Sequence, residues 1–206
     1  MSWFKENNFL LRKIHSLLGI VPIGAFLIEH LITNSYAKQG ADVYNEKIEW
    51  IQNLPYLLGL EIGLIFVPIL LHVGLGFVYL WGWKDNSKQY RYQRNFMYML
   101  QRITGIITFI FVVYHVWEFR IETVLEDIPV NFDLVAQEMR SQSSLWFYVI
   151  GISSTIYHFS NGIWSFLIHW GITIGPRAQK ISGFICAGIG FTLLYIGLDA
   201  LFAFVS

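Results

Sequence analysis

Charge is scarce in this chain: only 14% of its 206 residues are Asp, Glu, Lys or Arg, against roughly 25% in soluble domains. The charges that exist sum to a formal net charge of zero, so no basic surface calls for nucleic acid. Cysteine is almost absent. The lone Cys186 excludes an internal disulfide and any cysteine-rich metal or iron–sulfur site within the chain. It stands beside Ala187 and Gly188 in an apolar run and reads as a buried packing residue. Linkers, low-complexity runs and charged tails are also missing, so residues 1–206 are expected to form a single domain.

What fills the space is apolar. Hydrophobic residues make up 55% and aromatics 17%, with 8 Trp, and the mean hydropathy is +0.49. Five apolar stretches run over residues 14–33, 56–83, 96–119, 144–171 and 181–205. Each has at least the ~20 residues that an α-helix needs to cross the hydrocarbon core. Pro22, Gly63, Pro68, Gly74 and Gly76 are tolerated in such helices where neighbours satisfy the backbone. The expected fold is an all-α integral membrane bundle of five transmembrane helices. The first stretch follows Arg12 and Lys13 and precedes Ser35-Tyr36-Ala37, which resembles a signal-peptide cleavage site. Its apolar run is too long for that class, so a retained helix is expected.

Orientation follows from the few charges. Lys5, Arg12, Lys13, Lys84, Lys88, Arg91, Arg94, Arg102, Arg177 and Lys180 fall on one side, leaving Lys38, Lys47, Arg120 and Arg140 on the other. The acidic residues mirror this, with only Glu6 and Asp85 on the basic side. The positive-inside rule then places the amino terminus in the cytoplasm and the carboxyl terminus outside the cell membrane.

Four histidines, His30, His72, His115 and His158, recur at intervals of 42, 43 and 43 residues, one in each of the first four stretches. An imidazole inside a membrane is costly and needs a function. With alternating helix directions, His30 and His115 lie within about 10 Å of the outer boundary at ~1.5 Å per residue. His72 and His158 lie ~20–25 Å from it by the same rise. Depth therefore makes an outer pair, His30 with His115, and an inner pair, His72 with His158. Zinc or copper sites would recruit Cys, Asp or Glu nearby. Two bis-histidine b haems use all four imidazoles, and six-coordinate iron favours electron transfer over oxygen chemistry. A faint repeat agrees with the pairing. His72-Val-Gly-Leu-Gly76 and His158-Phe-Ser-Asn-Gly162 share H-x-x-x-G, while Gly19-Ile20 precedes His30 much as Gly105-Ile106 precedes His115. His15 and His169 fall outside the interval, near expected helix ends.

The most specific stretches are Arg12-Lys13-Ile14-His15-Ser16-Leu17-Leu18-Gly19, Leu100-Gln101-Arg102-Ile103-Thr104-Gly105-Ile106-Ile107-Thr108, His115-Val116-Trp117-Glu118 and Tyr157-His158-Phe159-Ser160-Asn161-Gly162-Ile163-Trp164-Ser165-Phe166. On these the chain resembles the dihaem cytochrome b (b558-type) membrane-anchor subunits of Bacillus-type succinate dehydrogenase, the succinate:menaquinone oxidoreductases. The resemblance covers essentially the whole chain. It implies a low-potential outer haem and a high-potential inner haem, paired as the depths pair them. It also implies a flavoprotein subunit with covalent FAD and an iron–sulfur subunit on the cytoplasmic face, with menaquinone as electron acceptor in the respiratory chain. Dihaem quinol:fumarate reductases and cytochrome b subunits of other quinone-linked dehydrogenases are the alternatives. Some dihaem fumarate reductases carry a carboxylate two residues before the fourth ligand, where this chain has Ile156.

Two groups of polar residues are candidate sites. His15, Ser16, Arg102, Arg177 and Lys180 gather at the inner edge as partners for inner-haem propionates, since cationic groups pair well with carboxylates. Glu29, Glu61, Trp117, Glu118 and Arg120 gather at the outer level as candidates for the quinone site. An electron chain starting in the cytoplasm has little use for an outer haem unless its acceptor is there.

Overall fold

The computed structural model describes residues 8–81 and 89–205, and every described regular element is helical. Lys5, Glu6, Lys84, Asp85 and Lys88, which entered the charge argument, lie outside the described residues, as does the end of the second expected stretch. Among the described residues, four segments are long and apolar enough to cross a membrane: Asn8–Gln39, Leu57–Trp81, Gln93–Leu125 and Pro176–Ala203.

The first comprises α1 (Asn8–Ile20), α2 (Pro22–Ser35) and a 3-10 turn (Tyr36–Gln39). Pro22 has no N–H to donate and marks the joint between the two helices. His15 sits in the middle of α1 rather than near an end, because the helix begins at least seven residues before it. The short α3 (Ala41–Gln52) follows on the outer side. The second span is α4 (Leu57–Glu61), a π-helical turn (Ile62–Phe66) and α5 (Val67–Trp81). The third is α6 (Gln93–Val116), a second π-helical turn (Trp117–Glu122) and α7 (Thr123–Leu125). Then come α8 (Phe132–Met139), α9 (Gln142–His169) and α10 (Pro176–Ala203).

The helix α9 explains the difference between the five stretches expected and the four found apolar enough. It is 28 residues long, about 42 Å at ~1.5 Å per residue, so length is no obstacle. What sets it apart is that it packs along both α6 and α10. Its buried residues include Ser154, Ser160 and Asn161 beside Tyr148, Ile156 and Phe159. A helix surrounded by protein carries small and polar residues that a lipid-facing one does not. The lipid-facing contrast is α5, where Leu70 and Leu71 are exposed and Pro68 alone is buried.

Small residues let the helices close on α9. A Cβ on Gly190 would stand 2.8 Å from the Ser160 hydroxyl, and one on Gly197 would stand 3.0 Å from Ile152 and 3.1 Å from Leu31. The turn from α9 into α10 is specified by two glycines. Gly171, at φ +72°, donates to the Ile168 carbonyl (3.1 Å) and Ile172 to that of Leu167 (2.9 Å), the Schellman pattern. Gly175 (φ +84°) then precedes Pro176 at the first position of α10.

The end of the bundle nearer His30 and His115 is closed by α3 and α8. Tyr44, Ala37, Met139, Tyr148, Phe111, Leu201 and Phe204 form one buried cluster there. Burial pushes the Tyr44 phenol up to about 12. Asn45 accepts from the Phe132 amide (2.8 Å) and Asn131 caps α8 by accepting from Leu134 (2.9 Å).

Candidate functional site, two histidine pairs

Each histidine of the regular series stands on a different long helix, and the four rings meet in two pairs. His72 on α5 and His158 on α9 have ring centroids 6.3 Å apart with planes at 90°. His30 on α2 and His115 on α6 have centroids 5.6 Å apart with planes at 76°. All four are half-buried. Among the described residues, no group of three or more His, Cys, Asp and Glu assembles to hold a metal ion. Each pair thus offers two imidazoles and no further side-chain ligand.

Backbone carbonyls set the chemistry of the inner pair. Nδ1 of His72 donates to the carbonyl of His15 (2.8 Å), and Nδ1 of His158 donates to the carbonyl of Gln101 (3.0 Å). A carbonyl can only accept, so these bonds put the proton on Nδ1 and leave the Nε2 lone pair free; at His158 the Gln101 amide nitrogen also lies 3.2 Å from Nδ1. Metal-binding imidazoles are oriented and made more basic in this way. Glycines make the room. A Cβ on Gly19 would stand 2.6 Å from His72 Cε1, and one on Gly105 would stand 2.9 Å from His158 Cε1.

The outer pair is held by side chains. Nδ1 of His115 is 3.4 Å from the Tyr148 hydroxyl, which itself donates to Glu118; Glu118 also accepts from Tyr114 (3.0 Å). The ring of His115 stacks on Phe111, with centroids 5.6 Å apart. Asn34 donates to the His30 carbonyl (2.8 Å), and its amide nitrogen is 3.3 Å from His30 Nε2.

The remaining outer candidates separate into two places. Glu61 and Arg120 form an ion pair (2.5 Å), joining the residue before one π-helical turn to a residue within the other. Such turns recur at functional sites because they break the regular ladder. Trp117 opens the second π-helical turn and is exposed. Glu29 accepts from Thr33 (2.6 Å) and lines a different feature, a cleft of about 400 Å³ with Tyr36, Lys47 and Trp50.

At the inner edge, His15 stacks on His72 (4.0 Å, 12°) and its Nδ1 donates to the His72 carbonyl (3.0 Å). Ser16 donates to the Lys13 carbonyl and accepts from Trp170. The guanidinium of Arg102 lies 3.3 Å from the Tyr98 ring centroid. Arg177 and Lys180 stand exposed in the first turns of α10.

Sequence reasoning passed over Tyr148, Tyr114, Gln101 and Asn161. The first two carry no motif. Gln101 was legible in principle, because adding 86 to His15, Gly19, His72 and Gly76 gives Gln101, Gly105, His158 and Gly162.

No family model matches the chain. The succinate dehydrogenase cytochrome b558 subunit of Bacillus subtilis (strain 168) is 47% identical over 200 residues, covering 97% of this chain and 98% of that protein. At that identity and coverage, the all-helical chain with its two facing imidazole pairs belongs to the family of succinate dehydrogenase cytochrome b558 subunits.

Proposed function

We propose that the chain is the dihaem membrane anchor of a bacterial succinate dehydrogenase, with α9 as its fifth transmembrane helix. In this reading it carries electrons from the iron–sulfur subunit through the inner and then the outer site to menaquinone. The flavoprotein and iron–sulfur subunits dock on the cytoplasmic face, and the carboxyl terminus lies outside. The observation that carries it is the inner pair: two Nδ1-protonated imidazoles on facing helices, with ring centroids 6.3 Å apart and seated against glycines.

The residues fit haem b better than a metal ion alone. Two imidazoles would suffice for a macrocycle that brings its own nitrogen donors, whereas a naked ion needs more protein ligands than either pair supplies. When bound, each haem supplies one-electron chemistry at a six-coordinate iron. His72 and His158 would hold the inner haem, and His30 and His115 the outer. Asn34 would give up its contact with His30 Nε2 while keeping its bond to the main chain. Arg102, Arg177 and Lys180 supply donors at the inner edge, whereas His15 and Ser16 already give theirs to the His72 and Lys13 carbonyls.

Quinone reduction belongs at the outer end. Glu61 with Arg120, Glu118 with Tyr148, and Glu29 in its cleft put three carboxylates at the level of the outer pair, and Trp117 adds an exposed aromatic face. Carboxylates there deliver protons from outside while electrons arrive from inside, so the membrane potential assists the step. That assistance is ~2.3 kcal/mol per charge per 100 mV, enough to drive electrons from succinate to a low-potential quinone.

The test is a purified complex with its subunits identified and its haem counted. Two b haems per chain with separate midpoints are expected, together with flavoprotein and iron–sulfur subunits. An uncoupler should slow succinate oxidation in intact cells. One haem per chain, or turnover that an uncoupler leaves unchanged or accelerates, would contradict the reading.

A further inference from the structure

The polar device around His158 is larger than a ligand needs. Gln101 Nε2 donates to the main-chain carbonyl of His158 (2.9 Å), while the carbonyl of Gln101 accepts from His158 Nδ1 (3.0 Å). The Gln101 amide is itself aimed, because its Oε1 accepts from Asn161 Nδ2 (2.7 Å), and Asn161 is only 6% exposed. The same reciprocal pair links α1 to α5. His15 Nδ1 donates to the His72 carbonyl (3.0 Å), and the His15 carbonyl accepts from His72 Nδ1 (2.8 Å).

The two devices are the 86-residue repeat realised in space. His15, Gly19 and His72 occupy the roles of Gln101, Gly105 and His158, down to the glycine under each ligand ring. The side chain at the first position differs between the halves, an imidazole in one and a carboxamide in the other. What the two share is an N–H that reaches the carbonyl of the partner histidine. Packing alone places no demand for a donor in both halves.

We propose that Gln101, oriented by Asn161, is a positioning residue of the inner site. Its amide draws the His158 carbonyl against α6, and this keeps His158 Nδ1–H on the Gln101 carbonyl with Nε2 turned towards His72. His15 performs the same task for His72. The inference rests on the dihaem reading above. A firm carbonyl bond to Nδ1–H makes an imidazole a stronger electron donor, and outer hydrogen bonds of this kind tune haem potentials. Loosening the bond weakens donation, favours the ferrous state and raises the inner midpoint.

The experiment is a potentiometric titration, with low-temperature electron paramagnetic resonance, of the assembled complex in membranes. The variants are Gln101→Leu, Gln101→His and His15→Gln. Gln101→Leu should raise the inner-haem midpoint and move its low-spin feature, leaving the outer haem in place. Gln101→His should bring both back towards the unsubstituted values, because a histidine already fills this role in the first half. His15→Gln should keep them there. An unmoved inner haem in Gln101→Leu, or equal shifts of both haems, overturns the proposal. Should Gln101→Leu fail to assemble, Gln101→His decides alone: a parental inner feature supports the role and its loss overturns it. Fewer than two haem components in the unsubstituted complex would instead defeat the dihaem reading, so the two failures are distinguishable.

Discussion

The inner and outer histidine pairs are alike in ring spacing and angle but are held by different kinds of atoms. The inner rings are fixed by main-chain carbonyls, and their neighbouring helices approach closely at Gly19 and Gly105. At the outer pair His115 leans on side chains, Tyr148 and through it Glu118, while Asn34 bonds the His30 carbonyl. A main-chain acceptor is present whatever residue stands there and changes only through what positions it, Gln101 and His15 at the inner pair, whereas a side-chain network is lost with the side chain itself.

Depriving cells of haem should have the largest effect, because it removes both halves of the comparison at once. The helices enclose two large apolar macrocycles in this account, and unfilled cavities of that size are costly. Succinate dehydrogenase activity should shift almost entirely from the membrane to the soluble fraction on haem depletion. Normal membrane-bound activity without haem would show that docking does not need it.

Crowding the inner pair comes next. Gly105→Leu forces a side chain into the His158 ring, whereas a Cβ at Gly188 on α10 meets nothing within 4 Å, so Gly188→Leu is the control. Overpacking costs about 1–3 kcal/mol, and the inner haem should be lost from the first variant only. Difference spectra of reduced and oxidised membranes would read this, and equal haem content in the two would break the contrast.

Tyr148→Phe is the matching probe of the outer pair. It takes one donor from Glu118 and the oxygen from His115, a loss of about 1–3 kcal/mol for the group left unpaired. The outer midpoint should move while the inner one stays. An unmoved outer haem would mean that the tyrosine only fills space.

Smallest in stability is Arg120→Gln. The Arg120 side chain is 37% exposed, so losing its pair with Glu61 costs at most about 1 kcal/mol. Reduction of menaquinone should slow several-fold with reduction of the inner haem by succinate intact. Unchanged turnover would remove the ion pair from the acceptor site and direct attention to the cleft beside Glu29.

Much of this was legible from one face of each helix. The histidine interval and the H-x-x-x-G repeat are properties of spacing, and spacing along a helix becomes depth in a membrane without further information. The character of α9 was less legible, since Ser154, Ser160 and Asn161 matter through what packs on them, and hydropathy averages that away. The π-helical turns at Ile62–Phe66 and Trp117–Glu122 left no residue signature. Tyr148 was hidden because its partners lie 30 and 33 residues away on another helix. Gln101 was hidden for the opposite reason: it sat inside a recognised stretch, and its role emerged only from the bond to His158.

Which histidines share a haem fixes the order of the two sites along the electron path. Redox titration of His30, His72, His115 and His158 variants, each replaced by a non-ligating residue, decides it. His72 and His158 variants should lose one and the same component, the inner haem, and His30 and His115 variants should lose the other. Loss of the same component from the His30 and His72 variants would contradict the pairing.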